Sequence, residues 1–129
     1  IAYAIKVEAK FKQISLRSEA CKTKSKLKLA ELLPKVQHTF THTNVSGVLV
    51  GLWYPHYMAA INVPGFHFHF VDDDRKIGGH VFAFELIGGN AYIQEAHMLN
   101  IDLINSHSFH TADLDHIHED AISSVEKMR

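Results

Sequence analysis

Apolar and polar residues alternate with a period of two along much of the chain, and this pattern predicts β-strands. The first alternating set of apolar residues is Ile5, Val7, Ala9 and Phe11. After Phe11 the alternation slips by one residue, because Ile14 and Leu16 carry it on. The slip predicts a β-bulge or a break near residues 12–13, and a bulge there could turn Arg17 toward a neighbouring group.

The rest of the pattern predicts more strands than helices. A short helix is expected in LKLAELLPKV, kinked or ended by Pro34. A C-terminal helix is expected from Asp113 onward, where apolar residues recur at helical spacing. The predicted strands are Ser46–Tyr54 as a buried run, two segments flanking an acidic turn, Ala91–Ile93 after a turn at Ile87–Asn90, and Leu99–Leu103.

These elements favour one β-dominated α+β domain over residues 1–129, built as a curled mixed sheet or a partial β-barrel.

The hydrophobic content of 47% and the net charge of -1 are ordinary for a globular chain. The sequence has no basic stripe that would predict a nucleic-acid or membrane partner. A single Cys permits no internal disulfide. With no signal peptide and no membrane-spanning apolar run, the expected location is the cytoplasm.

The segment GFHFHFVDDDRKIGGH holds the candidate chemistry. Phenylalanines alternate with His67 and His69, so the two histidines share one face of a strand. If residues 72–75 form the loop of a hairpin, His67 faces His80 and His69 faces Gly78. An even-length loop places His80 on the same face as the other two histidines.

Three converging imidazoles can hold a metal ion at about 2.0–2.1 Å per nitrogen. Three neutral histidines favour zinc or another late divalent metal, and three ligands with an open fourth position are typical of catalytic sites. The alternative is chance clustering, since the chain holds 11 His.

The longer segment INVPGFHFHFVDDDRKIGGHVFAFEL resembles the core signature of the alpha-acetolactate decarboxylases. Other parts of the family are resembled by four further segments, which are YAIKVEAKF, the pair Arg17-Ser18, NVSGVLVGLWYPHY and SHSFHTADL. The resemblance therefore covers nearly the whole chain. It implies that His67, His69 and His80 are zinc ligands. It also implies that Arg17 is the active-site arginine and holds the substrate carboxylate. Glu126, in AISSVEKMR, matches a glutamate that the family uses at its metal site.

The implied reaction is decarboxylation of 2-acetolactate, a small 2-hydroxy-3-keto acid, to acetoin and carbon dioxide. Zinc would act as a Lewis acid on the substrate ketone.

The chain departs from the family pattern in two ways. Ala83 stands where the family usually has Asp. Family members are longer, and the chain begins at Ile1 without an initiator Met. We therefore expect a missing N-terminal region, weak or no activity for this chain alone, an exposed apolar flank at Ile1–Ile5, and a homodimer.

Two other interpretations are open at this point. A cupin-like metal enzyme also places H-x-H on a barrel strand, but cupins usually follow it closely with a Glu ligand. The chain could also be an inactive remnant or a non-catalytic binding domain.

Overall fold

The computed structural model describes residues 1–19, 27 and 29–112, which form a strand-dominated fold. The strands are β1 (Ala2–Glu19), β2 (Gln37–Tyr54), β3 (Gly65–Asp72) and β4 (Gly78–Ala96). The helices are α1 (Leu29–Val36) before β2, a single 3-10 turn at His56–Met58, and α2 (His107–His110) after β4. Within the described ranges, no helix is long and apolar enough to cross a membrane.

The four strands curl into a closed ring in chain order, with β4 pairing back onto β1. β1 pairs along its length with both β2 and β4, whereas β3 reaches only the first residues of β4. Every one of these pairings is antiparallel. The predicted β-dominated α+β fold with a curled sheet is confirmed, although the described strands are antiparallel throughout and not mixed.

The interior of the ring is one hydrophobic cluster. Its buried members are Val7, Phe11, Ile14, Leu16, Leu49, Phe68, Phe70 and Val81. The Phe11 ring meets the Phe70 ring edge-on at 5.2 Å between centroids, a favoured aromatic geometry. Because Phe68 and Phe70 point into this core, the intervening histidines of β3 point outward.

The predicted bulge near Lys12 and Gln13 is confirmed. The pairing of β1 with β4 shifts register between Phe11 and Gln13, and the strand continues without a break. Lys12 and Gln13 are exposed, while Phe11 and Ile14 on either side are fully buried. The extra residue therefore lets two apolar side chains with odd spacing share the inward face.

The predicted turn at Ile87–Asn90 is wrong, because these residues lie inside β4. The second glycine of the pair, Gly89, has a packing role inside the strand. A Cβ at this position would lie 2.3 Å from the Glu8 carbonyl oxygen and 2.5 Å from the Ala9 Cα. The glycine therefore permits a close approach between β4 and β1 and does not reverse the chain.

Two other strand predictions need correction. The predicted strand Leu99–Leu103 is not formed, and its apolar side chains are exposed in an irregular segment. The predicted strand Ser46–Tyr54 is part of the longer β2, which is buried on one face only: Leu49 is fully buried but Val50 and Leu52 are exposed. The helix predicted from Asp113 lies outside the described residues.

The expected apolar flank at Ile1–Ile5 is found only at Ile1, which is 46% exposed, and the predicted loss of sheet partners is wrong. Ala2 is buried, and this part of β1 has strand partners on both sides. Exposed apolar side chains are concentrated instead in the segment 92–104. They are Tyr92, Ile93, Met98, Leu99, Ile101, Leu103 and Ile104.

Candidate metal centre

The turn between β3 and β4 is built around the first of its three aspartates. One carboxylate oxygen of Asp72 accepts hydrogen bonds from the N–H groups of Lys76, at 2.7 Å, and Ile77, at 2.8 Å. The Asp72 N–H donates to the Ile77 carbonyl at 3.0 Å, closing the loop. The hydrogen bond from Ile77 lowers the pKa of the Asp72 carboxyl more than burial raises it. Asp72 is therefore a structural element of the hairpin.

This turn sets the register of the histidines. Asp72 and Ile77 close the loop, so the loop lies one residue later than predicted. As a result His69 faces His80 and Gly78 faces Val71; the predicted pairs His67–His80 and His69–Gly78 are wrong. The loop keeps its even length, so the prediction that the three histidines share one face is confirmed.

The three imidazoles converge on one point outside the ring. The Nε2 atoms of His67 and His69 are 3.1 Å apart, and one ligand nitrogen from each histidine lies within 4.8 Å of the others. The His67 and His69 rings are stacked, with 15° between their planes, and the His80 ring stands across them. Two nitrogens bound to one tetrahedral zinc are about 3.3 Å apart, so this pair needs little adjustment to share an ion.

His80 has the chemical state that a metal ligand needs. Its side chain is buried, and its Nε2 has no hydrogen-bond partner among the described residues. Burial, and then the positive charge of Arg17, lower the pKa of His80 to about 4. The ring is therefore neutral near pH 7, with a lone pair to donate. A buried nitrogen without a partner is costly, and a bound metal ion would satisfy it.

Access to the cluster is from one side. His67 is half-buried and His69 is exposed, so solvent reaches the point on which the ring nitrogens converge. The group could therefore hold a metal ion and leave a position open to a ligand from solution.

Arg17 lies beside this cluster. In the pairing of β1 with β4 it stands directly opposite His80, so both residues are on the outward face. Its Nε is buried and has no hydrogen-bond partner in the described part of the chain. The third register shift in this pairing, between Ser15 and Leu16, immediately precedes it. A planar cation with an unpaired donor at this place suits a carboxylate. The other predicted site residue, Glu126, lies outside the described residues.

The sequence-based reasoning missed the neighbours of the histidines on β2. Val50 stands opposite His69, and Leu52 stands opposite His67. The available signal was Gly47 and Gly51. A Cβ at Gly47 would lie 2.6 Å from the Phe70 ring, and one at Gly51 would lie 2.4 Å from the Phe68 ring. These glycines therefore occupy inward positions together with Leu49, and the alternate residues Val50 and Leu52 face out with the histidines.

The shifted pKa of His80 predicts an acid-sensitive fold in the metal-free chain. Above pH 6.5 the ring is neutral in both the folded and unfolded states. Between pH 6.5 and about 4 the unfolded chain takes up a proton that the folded chain excludes, so the free energy of unfolding falls as the pH drops. We expect this loss to reach on the order of 2 kcal/mol, allowing for water at the open side of the cluster.

Urea unfolding at pH 7 and pH 4.5, followed by circular dichroism, measures this loss. The matched control is His80→Gln, in which the same pH change should cost less because the titrating ring is gone. Equal losses in the two proteins would show that His80 does not carry the effect.

A second prediction concerns the turn. Asp72→Ala removes the acceptor of two backbone N–H groups, so the melting temperature should fall by several degrees and zinc binding should weaken as the hairpin loosens. Asp72→Asn keeps a carbonyl oxygen at the same place and should remain closer to the parent chain. Thermal unfolding with and without zinc tests both. An Asn variant as impaired as the Ala variant would assign the effect to the charge instead of the acceptor.

Comparison with known proteins gives a consistent picture. A family model described as alpha-acetolactate decarboxylase matches residues 1–116. A protein from Brevibacillus brevis named alpha-acetolactate decarboxylase is 33% identical over 129 residues, which is 100% of this chain and 45% of that protein. One of the same name from Methanosarcina mazei is 36% identical over 97% of this chain and 43% of its own length.

A solved structure agrees with the fold. The crystal structure of alpha-acetolactate decarboxylase from Bacillus subtilis strain 168 superposes with a TM-score of 0.88 at 33% identity, covering 98% of this chain and 54% of that one. The chain thus spans less than half the length of the curated relatives named above and about half of this solved chain.

Proposed function

The chain belongs to the alpha-acetolactate decarboxylase family, and from that premise we propose that it carries the metal-binding and substrate-binding surface of such an enzyme. The reaction is the decarboxylation of 2-acetolactate to acetoin and carbon dioxide. The observation that carries the proposal is the convergence of three histidines beside Arg17 on one outward face. The family match includes all of these residues, so the cupin-like alternative is set aside.

We propose zinc as the ion, held by His67, His69 and His80. Three neutral imidazoles suit zinc, and the buried, unpartnered nitrogen of His80 fits a metal ligand. When bound, zinc would supply Lewis-acid chemistry by withdrawing electron density from the substrate ketone.

Arg17 would bind and orient the substrate carboxylate. Its guanidinium is always charged and can make two parallel hydrogen bonds to a carboxylate. This contact holds the bond between the carboxylate carbon and the hydroxyl-bearing carbon in a fixed direction. When that bond breaks, neutral carbon dioxide leaves and the electron pair moves toward the ketone oxygen. A proton must then reach carbon to give acetoin, and Glu126 is our candidate among acidic groups for that step.

Acetoin formation from racemic 2-acetolactate by the zinc-loaded chain tests the proposal, with the full-length Bacillus subtilis relative as the positive control. We expect acetoin from both proteins, more slowly from the shorter chain. Acetoin from the relative and none from the zinc-loaded chain would favour the inactive remnant.

We also propose that the protein is a homodimer. The support is the set of exposed apolar side chains in the segment 92–104, which a second protein surface would bury. Light scattering over a range of concentrations measures the mass. A monomer at every concentration would contradict this.

A further inference from the structure

Two branched aliphatic side chains stand next to the histidine cluster on the neighbouring strand. Val50 pairs with His69 and Leu52 pairs with His67 across β2 and β3. Directly opposed residues have Cβ atoms about 5 Å apart and point to the same face. Val50 is 47% exposed and Leu52 is 37% exposed. We call this pair the aliphatic shelf.

The shelf is not needed to build the core. The inward positions of this part of β2 are taken by Leu49, which is fully buried, and by Gly47 and Gly51. The shelf residues point the other way, onto a surface that also carries the three histidines and Arg17. Apolar groups beside a few convergent polar groups are the usual composition of a small-molecule site.

The order of residues across the sheet gives the surface a direction. Val50, His69, His80 and Arg17 follow one another on four successive strands of the ring. The histidines thus lie between a cation on one side and the shelf on the other. A ligand whose carboxylate contacts Arg17, and whose oxygens reach the histidine cluster, directs its opposite end toward the shelf.

We propose that the shelf is an alkyl-recognition subsite that contacts the carbon chain on the ketone side of the substrate. This inference rests on the proposed function for the position of the metal and the substrate class. The preferred ligands are then 2-hydroxy-3-keto acids with a short alkyl group on the ketone. Val50 and Leu52 are specificity-determining residues, because they gain apolar contact with each added carbon.

Alkyl hydroxamates test the subsite without requiring turnover. They chelate zinc through two oxygens in the same five-membered ring that a ketone and its adjacent hydroxyl would form. Formohydroxamate, acetohydroxamate and propionohydroxamate differ only in the carbon chain on the carbonyl. With the zinc-loaded chain, we expect each added carbon to tighten binding by about twofold to threefold, as suits partial burial on an exposed shelf. Isothermal titration calorimetry gives the three affinities.

The variants Val50→Thr and Leu52→Asn should abolish this gain while leaving zinc content and formohydroxamate affinity unchanged. Leu86→Asn is the matched control, since Leu86 is 44% exposed on β4 opposite Phe11, away from the histidines. It should keep the full gain. The same ranking is expected in turnover, with the shelf variants losing preference between acetyl and propionyl substrates.

The outcomes separate this inference from the proposed function. An alkyl gain that depends on Val50 and Leu52, without any acetoin formation, supports the subsite and contradicts the decarboxylase. Acetoin formation with no alkyl gain, or with the same gain in the shelf variants, overturns the subsite alone. Failure to bind zinc overturns both.

Discussion

Replacing His80 with alanine is expected to remove zinc binding from the chain. The parent should carry about one zinc per chain by elemental analysis, because three neutral imidazoles converge. His80→Ala deletes the buried candidate ligand and leaves only the ring nitrogens of His67 and His69, which are more exposed. We expect the zinc affinity to fall by more than about 100-fold, since loss of a group that merely orients a ligand already costs tenfold to a hundredfold.

The control is His42→Ala. His42 is a partly buried strand histidine on β2, outside the cluster, so its loss removes imidazole without touching the candidate ligands. Competition with a zinc chelator gives both affinities, and thermal unfolding with zinc reports them independently because a bound ligand stabilises the folded state. Equal affinities in the two variants would refute the metal centre.

Arg17→Lys is expected to lower kcat/KM for acetolactate by about a hundredfold and to leave the zinc content unchanged. A loss of this size is typical when a positioned hydrogen-bond donor is removed from an active site. A lysine keeps the charge but cannot present two parallel donors to a carboxylate. Arg75→Lys is the matched control, since Arg75 lies exposed in the β3–β4 turn. Steady-state kinetics of acetoin formation by the zinc-loaded chain make the comparison. Unchanged turnover in Arg17→Lys would remove Arg17 from the mechanism.

A readout independent of turnover checks the position of Arg17. After burial, its positive charge is the next cause that lowers the pKa of His80. Arg17→Gln should therefore raise the pKa of His80 in the metal-free chain, as measured by NMR titration of the ring protons. An unmoved pKa would mean that the guanidinium is not beside His80 in solution.

Much of the candidate site could be predicted from alternation alone. A period of two put His67 and His69 on one face, and an even loop put His80 there as well, whichever pair of residues closed the turn. The exact partners could not be predicted, because they depend on the carboxylate of Asp72 binding two N–H groups in the folded turn. The parity of the loop mattered more for the chemistry than its register.

The errors share a physical cause, which is the use of local signals for contacts that are distant in sequence. The glycines before Asn90 resemble a turn signal, but Gly89 serves a close approach to β1 that only the pairing reveals. The apolar run of β2 resembles a strand buried on both faces until the rings of Phe68 and Phe70 are seen to require Gly47 and Gly51. Alternation in Leu99–Leu103 does not make a strand, because a strand also needs a partner.

The pairing of β1 with both β2 and β4 has a consequence for how the molecule forms. Ala2 pairs with Ala96, so the ring can close only when almost the whole described chain is available. Such pairings between distant residues slow folding, because chain entropy is lost before the contact is gained. During synthesis β1 can pair with β2 early but must wait for β4. The histidine that β4 supplies therefore joins the other two late, and a chain stalled before that point would expose the inner apolar face of β1.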